Sequence, residues 1–502
     1  MSQPDDHRGD DAAPAVNTPA DAGGSAPPPG SAEPAAHAGH SGFAAAGGGD
    51  DGSAPRPAPR TVLITGPGGA GRTTVAAATA LARARDGGRT LLLSGETPAV
   101  LEAVLGTTVA AAPAGPHGPH GSPGPAGTQV PAAGGRLSAV RVDPGEVFRA
   151  GVTALQDRAG TLLELLGAQA LDHDELTELP GSGTFALLRT LRAAHTSGEW
   201  DTLVVDLPPL TAALHMLALP RQLRRYLRRL VPPERQAARA LRPALAQLVG
   251  VPVPAAALYE TADRWAEELA DVQGVLESPA TAVRVVTEPG PLSAEALRSA
   301  RAGLGLYAMP LESVVANRVL PEGSTDPWLA SMSGRQQQAL EELRAECGTH
   351  GVPLCELPHL GHDPRGAGDL SRLAGAAGAA APPGTGGTGS TGGTGSTGGT
   401  GRGDPVRGPG RIEDRLAQDG LLVWRMPLPA VRKDELTLVR RGDELILGVG
   451  PYRRVIALPS ALRRCRVVGA ALDGGELRVR CEPDPALWPE GTPGRPPEGR
   501  RG

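Results

Sequence analysis

Apolar residues recur along this chain in short runs, and their spacing changes character near residue 411. Before that point, Thr61-Val62-Leu63-Ile64-Thr65, Arg89 to Ser94, Leu137 to Val142, Trp200 to Asp206, Thr281 to Thr287 and Ser313 to Asn317 are nearly unbroken β-branched and leucine runs. Such runs predict strands buried on both faces. Helical spacing separates them at Val75 to Arg85, Ala99 to Gly106, 146–195, 210–231 and 291–307. Alternating strand and helix predicts an α/β fold with a mainly parallel sheet. Amphipathic stretches at 233–249 and 255–277 complete a helical insertion over 210–277, read either as a groove for an apolar partner or as core-packing helices.

After residue 411 the period shortens. Leu421 to Met426, Glu435 to Val439, Glu444 to Val449, Arg454 to Leu458 and Glu476 to Arg480 read as short strands, with Asp473-Gly474-Gly475 as a hairpin turn. Closely spaced strands of this kind predict a small β-sandwich over 411–488. The pieces between are poor in large apolar side chains: a tail over 1–58, a loop over 111–135, a Gly/Thr/Ser linker over 376–410 and a tail over 489–502. Segments of that composition cannot bury enough surface to offset their conformational entropy and are expected to be disordered. An α/β domain over 59–375 and the sandwich are therefore the two folded parts expected.

Composition narrows the function. Gly 70 and Pro 51 in 502 residues agree with low-complexity segments, and 2% aromatic residues leave Leu, Val and Ala to build the cores. A net charge of −5 with no basic block interleaved with aromatics argues against nucleic acid. The polar, acidic start predicts no secretory signal, and no apolar run approaches the ~20 residues of a membrane helix, so stable membrane insertion is not expected. Cys347, Cys355, Cys465 and Cys481 form no C-x-x-C pair and read as thiols of a reducing, cytoplasmic protein rather than zinc ligands.

The chemistry concentrates where the first strand ends. Gly66-Pro67-Gly68-Gly69-Ala70-Gly71-Arg72-Thr73-Thr74 stands between a strand and a helix, the context of a phosphate-binding loop. Glycines allow backbone N–H groups to close around an anion, and Thr73 offers a hydroxyl for Mg²⁺. Arg72 occupies the position of the usual lysine, with Lys433 the chain's single lysine. Arginine keeps the charge but is a planar fork rather than a point charge, so nucleotide affinity is expected to survive better than phosphoryl-transfer geometry. Asp206 ends an apolar strand 132 residues after Thr74, the arrangement of a carboxylate that reaches Mg²⁺. Glu96 follows the second strand and could position a water for attack or cap the following helix.

These residues carry a resemblance. The stretches GPGGAGRTT, ELPGSGTFALLRTL, WDTLVVDLPPLTAALHMLALP, VVTEPGPLSAEALRSARAGLGLYAMPLESVVANRVLP and PLCELPHLGHDPRG make residues 60–375 similar to the ArsA and tail-anchored-protein-targeting ATPases, a deviant Walker A branch of phosphate-loop proteins. The sandwich resembles the small-heat-shock-like domain appended to some bacterial ArsA-type proteins. The resemblance implies a doubly wound sheet, ATP or ADP with Mg²⁺ as ligands, and nucleotide contacts from Gly66, Gly68 to Thr74, Asn317 (at adenine) and Arg318. It also implies catalytic carboxylates at Glu96 and Asp206. It further implies a homodimer, or a heterodimer with a related ATPase, whose nucleotide-driven movement acts on a protein client. The chain departs from the family pattern at Pro67 for the lysine that reaches across the dimer, at Arg72, at Glu96-Thr97-Pro98-Ala99 for D-P-A-H, and at Asp206 to Ala213 for D-T-A-P-T-G-H-T. Weakened or absent hydrolysis is the expectation, either as a slow switch or as a non-hydrolysing regulatory or chaperone-like subunit beside an intact paralogue.

Overall fold

Alternate residues of the first strand, β1 (Arg60–Thr65), serve two different cores: Leu63 packs into one helical layer, Val62 and Ile64 into the other. A strand buried on both faces must lie inside a sheet, and β1 does. The computed structural model describes residues 57–112, 125, 127–166, 171–178, 181–230, 255–379 and 410–488. The expected tails, the helix at 233–249 and most of the linker fall outside the described residues.

Eight strands form the main sheet: β1, β2 (Thr90–Ser94), β3 (Thr128–Gln129), β4 (Leu137–Arg141), β5 (Thr202–Asp206), β6 (Thr281–Thr287), β7 (Leu311–Val319) and β8 (Leu354–Pro358). Their order is β3-β4-β2-β5-β1-β6-β7-β8, parallel throughout except for the edge strand β3. Helices α1 (Arg72–Arg85) and α2 (Pro98–Leu105) cover one face, with a later helix, residues Gly366–Ala379, beside them. The other face carries α4 (Ser182–Thr196), which follows α3 (Pro144–Leu166), then α5 (Leu210–Leu230), α6 (Ala255–Glu277) and α7 (Ser293–Tyr307). Helix α8 (Pro327–Thr349) starts at Asp326, whose carboxylate accepts from the Leu329 N–H at 2.8 Å, and Gly366–Ala379 is α9. The sheet is doubly wound, as expected.

Three boundaries differ from expectation. The loop read over 111–135 contains β3, and Val130 and Ala133 are buried beside it. Two residues are too few to display an alternating pattern. Helix α9 runs to Ala379, four residues into the expected linker. The expected insertion over 210–277 begins as a sheet-covering helix, since Ala213, Leu214, Met216 and Leu217 of α5 are core residues.

The C-terminal strands are β9 (Arg411–Arg415), β10 (Leu421–Pro427), β11 (Leu436–Arg441), β12 (Glu444–Val449), β13 (Tyr452–Ala457), β14 (Cys465–Asp473) and β15 (Glu476–Pro483). They form two antiparallel sheets, β14-β15-β10-β9 and β11-β12-β13. Asp473 pairs with Glu476 across Gly474 and Gly475, both at positive φ, the tight hairpin anticipated. These sheets share one continuous hydrophobic core with the α/β part: Leu214, Leu304 and Tyr307 belong to the same cluster as Trp424, Leu447 and Tyr452. The glycine-rich linker therefore joins parts that are packed together. Arg225 of α5 donates to both oxygens of Glu444 at 2.8 and 2.7 Å, and Arg298 of α7 donates to both oxygens of Glu435 at 2.9 and 2.7 Å.

Candidate functional site

β1 delivers the chain into Gly66 at the carboxyl edge of the sheet, where doubly wound folds bind ligands. Gly66 is buried against β6: a Cβ there would penetrate the Val286 carbonyl. Its own carbonyl accepts from the Leu210 N–H at 3.0 Å, tying the loop to the start of α5. Gly69 and Gly71 take positive φ, +80° and +84°, which side chains other than glycine adopt only at a cost.

The loop's carbonyls are held from below by β7. The Asn317 amide donates to the Ala70 carbonyl at 2.9 Å, and Arg318 donates to the Gly69 carbonyl at 3.0 Å and to Glu288 at 3.2 Å. Arg318 itself sits at φ +59°, an uncommon backbone for a non-glycine residue. Gln336 of α8 pins that strained point, donating to the Arg318 carbonyl at 2.9 Å and accepting from the Leu320 N–H at 2.7 Å. With carbonyls so engaged, the N–H groups of Gly68, Gly69 and Gly71 have no hydrogen-bond partner among the described residues. The first turn of α1 adds further orphan donors, and Gly71 supplies no side-chain cap. The turn is a nest of unused donors at a helix N-terminus, and the residues present fit a polyphosphate.

Three carboxylate and cation positions meet beside it. Parallel register sets Ser94 of β2 opposite Asp206 of β5, and the Ser94 hydroxyl donates to Asp206 Oδ2 at 2.9 Å. Asp206 Oδ1 is buried without a hydrogen-bond partner among the described residues. An orphaned carboxylate oxygen at this place fits a cation. Burial pushes Asp206 up to about 6, opposed by the Thr73 and Ser94 hydroxyls and by Arg72. Arg72 donates to the Leu207 carbonyl and lies 3.6 Å from the Glu96 carboxylate. Glu96 therefore faces the loop cation; the N-cap of α2 is Thr97, which makes no side-chain cap bond. Ser94 went unrecognised in sequence as a site residue. It bonds both Asp206 and, at 3.2 Å, the Glu96 N–H, a role set by strand register.

One consequence is measurable in nucleotide-free protein. In the window from about pH 4 to about pH 6 the folded state keeps the Asp206 proton that the unfolded chain has released, so stability falls as pH rises. Relative to Asp206→Asn, the loss is expected to total about 2–3 kcal/mol and to level off above about pH 6. Urea unfolding with EDTA at several pH values measures it. Parallel profiles for the two proteins would exclude a buried, poorly solvated carboxylate.

A phosphate-loop nucleotide-binding protein of the doubly wound α/β class is what this fold and loop define. The anion-transporting ATPase family, ArsA ATPase, matches residues 59–377, and the HSP20-like domain found in ArsA matches residues 419–480. The chain belongs to the ArsA ATPase family. It is 50% identical to an uncharacterized protein of Streptomyces coelicolor over 433 residues, 86% of this chain and 100% of that one. A Mycobacterium tuberculosis protein is 31% identical over 454 residues, covering 86% and 97% of the two chains. An Aquifex aeolicus protein named as a candidate arsenical pump-driving ATPase is 23% identical over 323 residues, 63% of this chain and 76% of its own. Both recognised parts, and the family-level expectation of nucleotide binding, agree with the sequence reading. Among the described residues no helix is long and apolar enough to cross a membrane, and no His/Cys/Asp/Glu group is arranged to hold a metal by itself.

Proposed function

We propose that this chain is a cytoplasmic, ArsA-type ATP-dependent switch that acts on a protein partner and hydrolyses ATP slowly or not at all. The observation that carries the reading is the position of Arg72, which is bonded to the Leu207 carbonyl and stands against Glu96. One guanidinium thus engages the backbone after Asp206 and screens the carboxylate best placed to orient a water.

Bound Mg²⁺-ATP supplies the phosphoanhydride bond. The N–H groups of residues 68–74 would hold its phosphates, and the Thr73 hydroxyl and Asp206 would hold the ion. Asn317 and Arg318 keep the loop in shape from beneath. For Arg72 to neutralise phosphate charge it must give up Leu207 or Glu96, and its rigid fork makes that exchange less adaptable than lysine's. Leu207 lies just before Pro208, Pro209 and α5, so release of Arg72 removes one of the bonds that hold the segment leading into α5, beside those from the Leu207 N–H to Ile64 and from the Thr65 hydroxyl to Pro208. Pairing with a second copy or with a related ATPase is part of the proposal. Pro67, standing where the family's cross-dimer lysine would be, favours the variant in which an intact paralogue provides that lysine to a regulatory subunit.

The test is nucleotide binding and steady-state turnover on the purified full chain, with Arg72→Lys alongside. Mg²⁺-ATP is expected to bind, and Arg72→Lys to raise turnover by about ten-fold or more, equivalent to roughly 1.4 kcal/mol of barrier. Measurable wild-type turnover equal to that of Arg72→Lys would remove the claim of impaired hydrolysis, whereas binding without turnover in either protein would support the non-hydrolysing subunit. Absence of binding in both would remove the switch.

A further inference from the structure

A cavity of about 680 Å³ opens far along α5, where that helix meets α6, α7 and the β12–β13 edge of the sandwich. Its size suits a small organic ligand. Six guanidinium groups line it: Arg221, Arg224, Arg225 and Arg228 from α5, and Arg453 and Arg454 from β13. Two carboxylates, Glu277 and Glu444, accompany them, and both are already engaged. Glu277 accepts from Arg221, and Glu444 accepts from Arg225 and also from Arg229 at 2.6 Å. Positive charge is left in excess on the walls.

The excess is deepest at Arg454. This side chain is 7% exposed, and it makes no ion pair among the described residues. One N–H bonds the Leu306 carbonyl at 2.6 Å, while Nε has no hydrogen-bond partner among the described residues. Burial pushes the guanidinium down to about 10, still cationic at neutral pH, with Glu277 only partly offsetting the shift. A buried cation without a bonded carboxylate is costly unless another anion completes it. Leu217, Leu276, Met309, Ile446 and Ile456 supply apolar wall, with Gln222 and Gln273 among the uncharged polar lining.

We propose that this interdomain cavity is a binding site for a small amphiphilic oxyanion, its phosphate or carboxylate head on Arg454 and the neighbouring Arg221 and its apolar body against Leu217, Leu276 and Ile446. The site is separate from the phosphate loop and does not rest on the switch reading.

The probes are hexyl phosphate, hexanol, hexanoate and inorganic phosphate, titrated calorimetrically into the full chain with and without excess Mg²⁺-ADP. Hexyl phosphate is expected to bind at least roughly ten-fold tighter than inorganic phosphate, because its chain removes apolar area from water. Hexanol should give no heat, and hexanoate reports whether a carboxylate head serves as well as a phosphate. Arg454→Met should weaken hexyl phosphate by about ten-fold or more, and Arg221→Ala, at a half-buried position, by about three-fold. If Arg454→Met does not fold, Arg221→Ala decides alone. Heat that Mg²⁺-ADP abolishes belongs to the phosphate loop and overturns the proposal. So does affinity unchanged in Arg221→Ala, or no heat with either hexyl anion.

Discussion

Tyr452→Ala is expected to cost about 3–5 kcal/mol of stability, the range for deleting a large buried ring that leaves a cavity. The residue belongs to β13 and is 1% exposed, with its ring edge-on to His215 of α5 at 5.8 Å and to Tyr307 of α7 at 6.5 Å. Gly303 of α7 has given up its side chain to make room: a Cβ there would come within 3.0 Å of the Tyr452 ring and 2.5 Å of Leu214. The sandwich is thus keyed into the α/β part through an aromatic wedge. The Tyr452 hydroxyl has no hydrogen-bond partner among the described residues, so Tyr452→Phe should be neutral or slightly stabilising. Guanidinium unfolding followed by tryptophan fluorescence separates the two variants, and a single transition is expected, since one core spans both parts. Two transitions in the wild type, or a loss below about 1 kcal/mol in Tyr452→Ala, would mean that the parts fold independently.

How far the sequence foretold this molecule depended on whether a signal was local. The buried strands were legible because parallel sheets demand continuous apolar runs, and the phosphate loop because glycine spacing reports backbone geometry directly. Strand β9 was not legible. Its sequence Arg411-Ile-Glu-Asp-Arg415 is mostly charged, and it is a strand because β10 offers a free edge and Glu413 meets Arg425 at 2.6 Å. Arg284, fully buried within β6, breaks an otherwise apolar run, and its charge is met by Glu312 of β7, 3.0 Å away. The position of Glu96 was not legible either: the fold sets it 3.6 Å from Arg72 and leaves the N-cap of α2 to Thr97. The docking of the sandwich was equally hidden, because Arg225–Glu444 and Arg298–Glu435 join residues 219 and 137 positions apart. A flexible-looking linker carries no information on whether its ends are packed together.

Gly66→Ala tests the phosphate cradle at its tightest point. The added methyl would collide with the Val286 carbonyl of β6, a backbone group that can move only by parting β1 from β6 in the centre of the sheet. Overpacking against a rigid neighbour is expected to cost about 3 kcal/mol, at the upper end of such substitutions. The shift would also disturb the bond from the Leu210 N–H to the Gly66 carbonyl, which joins the loop to α5. Misplaced donors should then lower Mg²⁺-ATP affinity on the order of a hundred-fold. Gly68→Ala is the matched control, because its Cβ would meet nothing within 4 Å and its φ is not positive. Its thermal midpoint should stay within about 1 °C of wild type, in keeping with a surface change below 0.5 kcal/mol. Calorimetric titration and thermal unfolding of both variants decide the matter. Equal destabilisation by Gly66→Ala and Gly68→Ala would show that the loop is merely sensitive to any side chain. Destabilisation confined to Gly66→Ala would place the cradle's rigidity in its close approach to β6, where the sheet itself holds the donors in position.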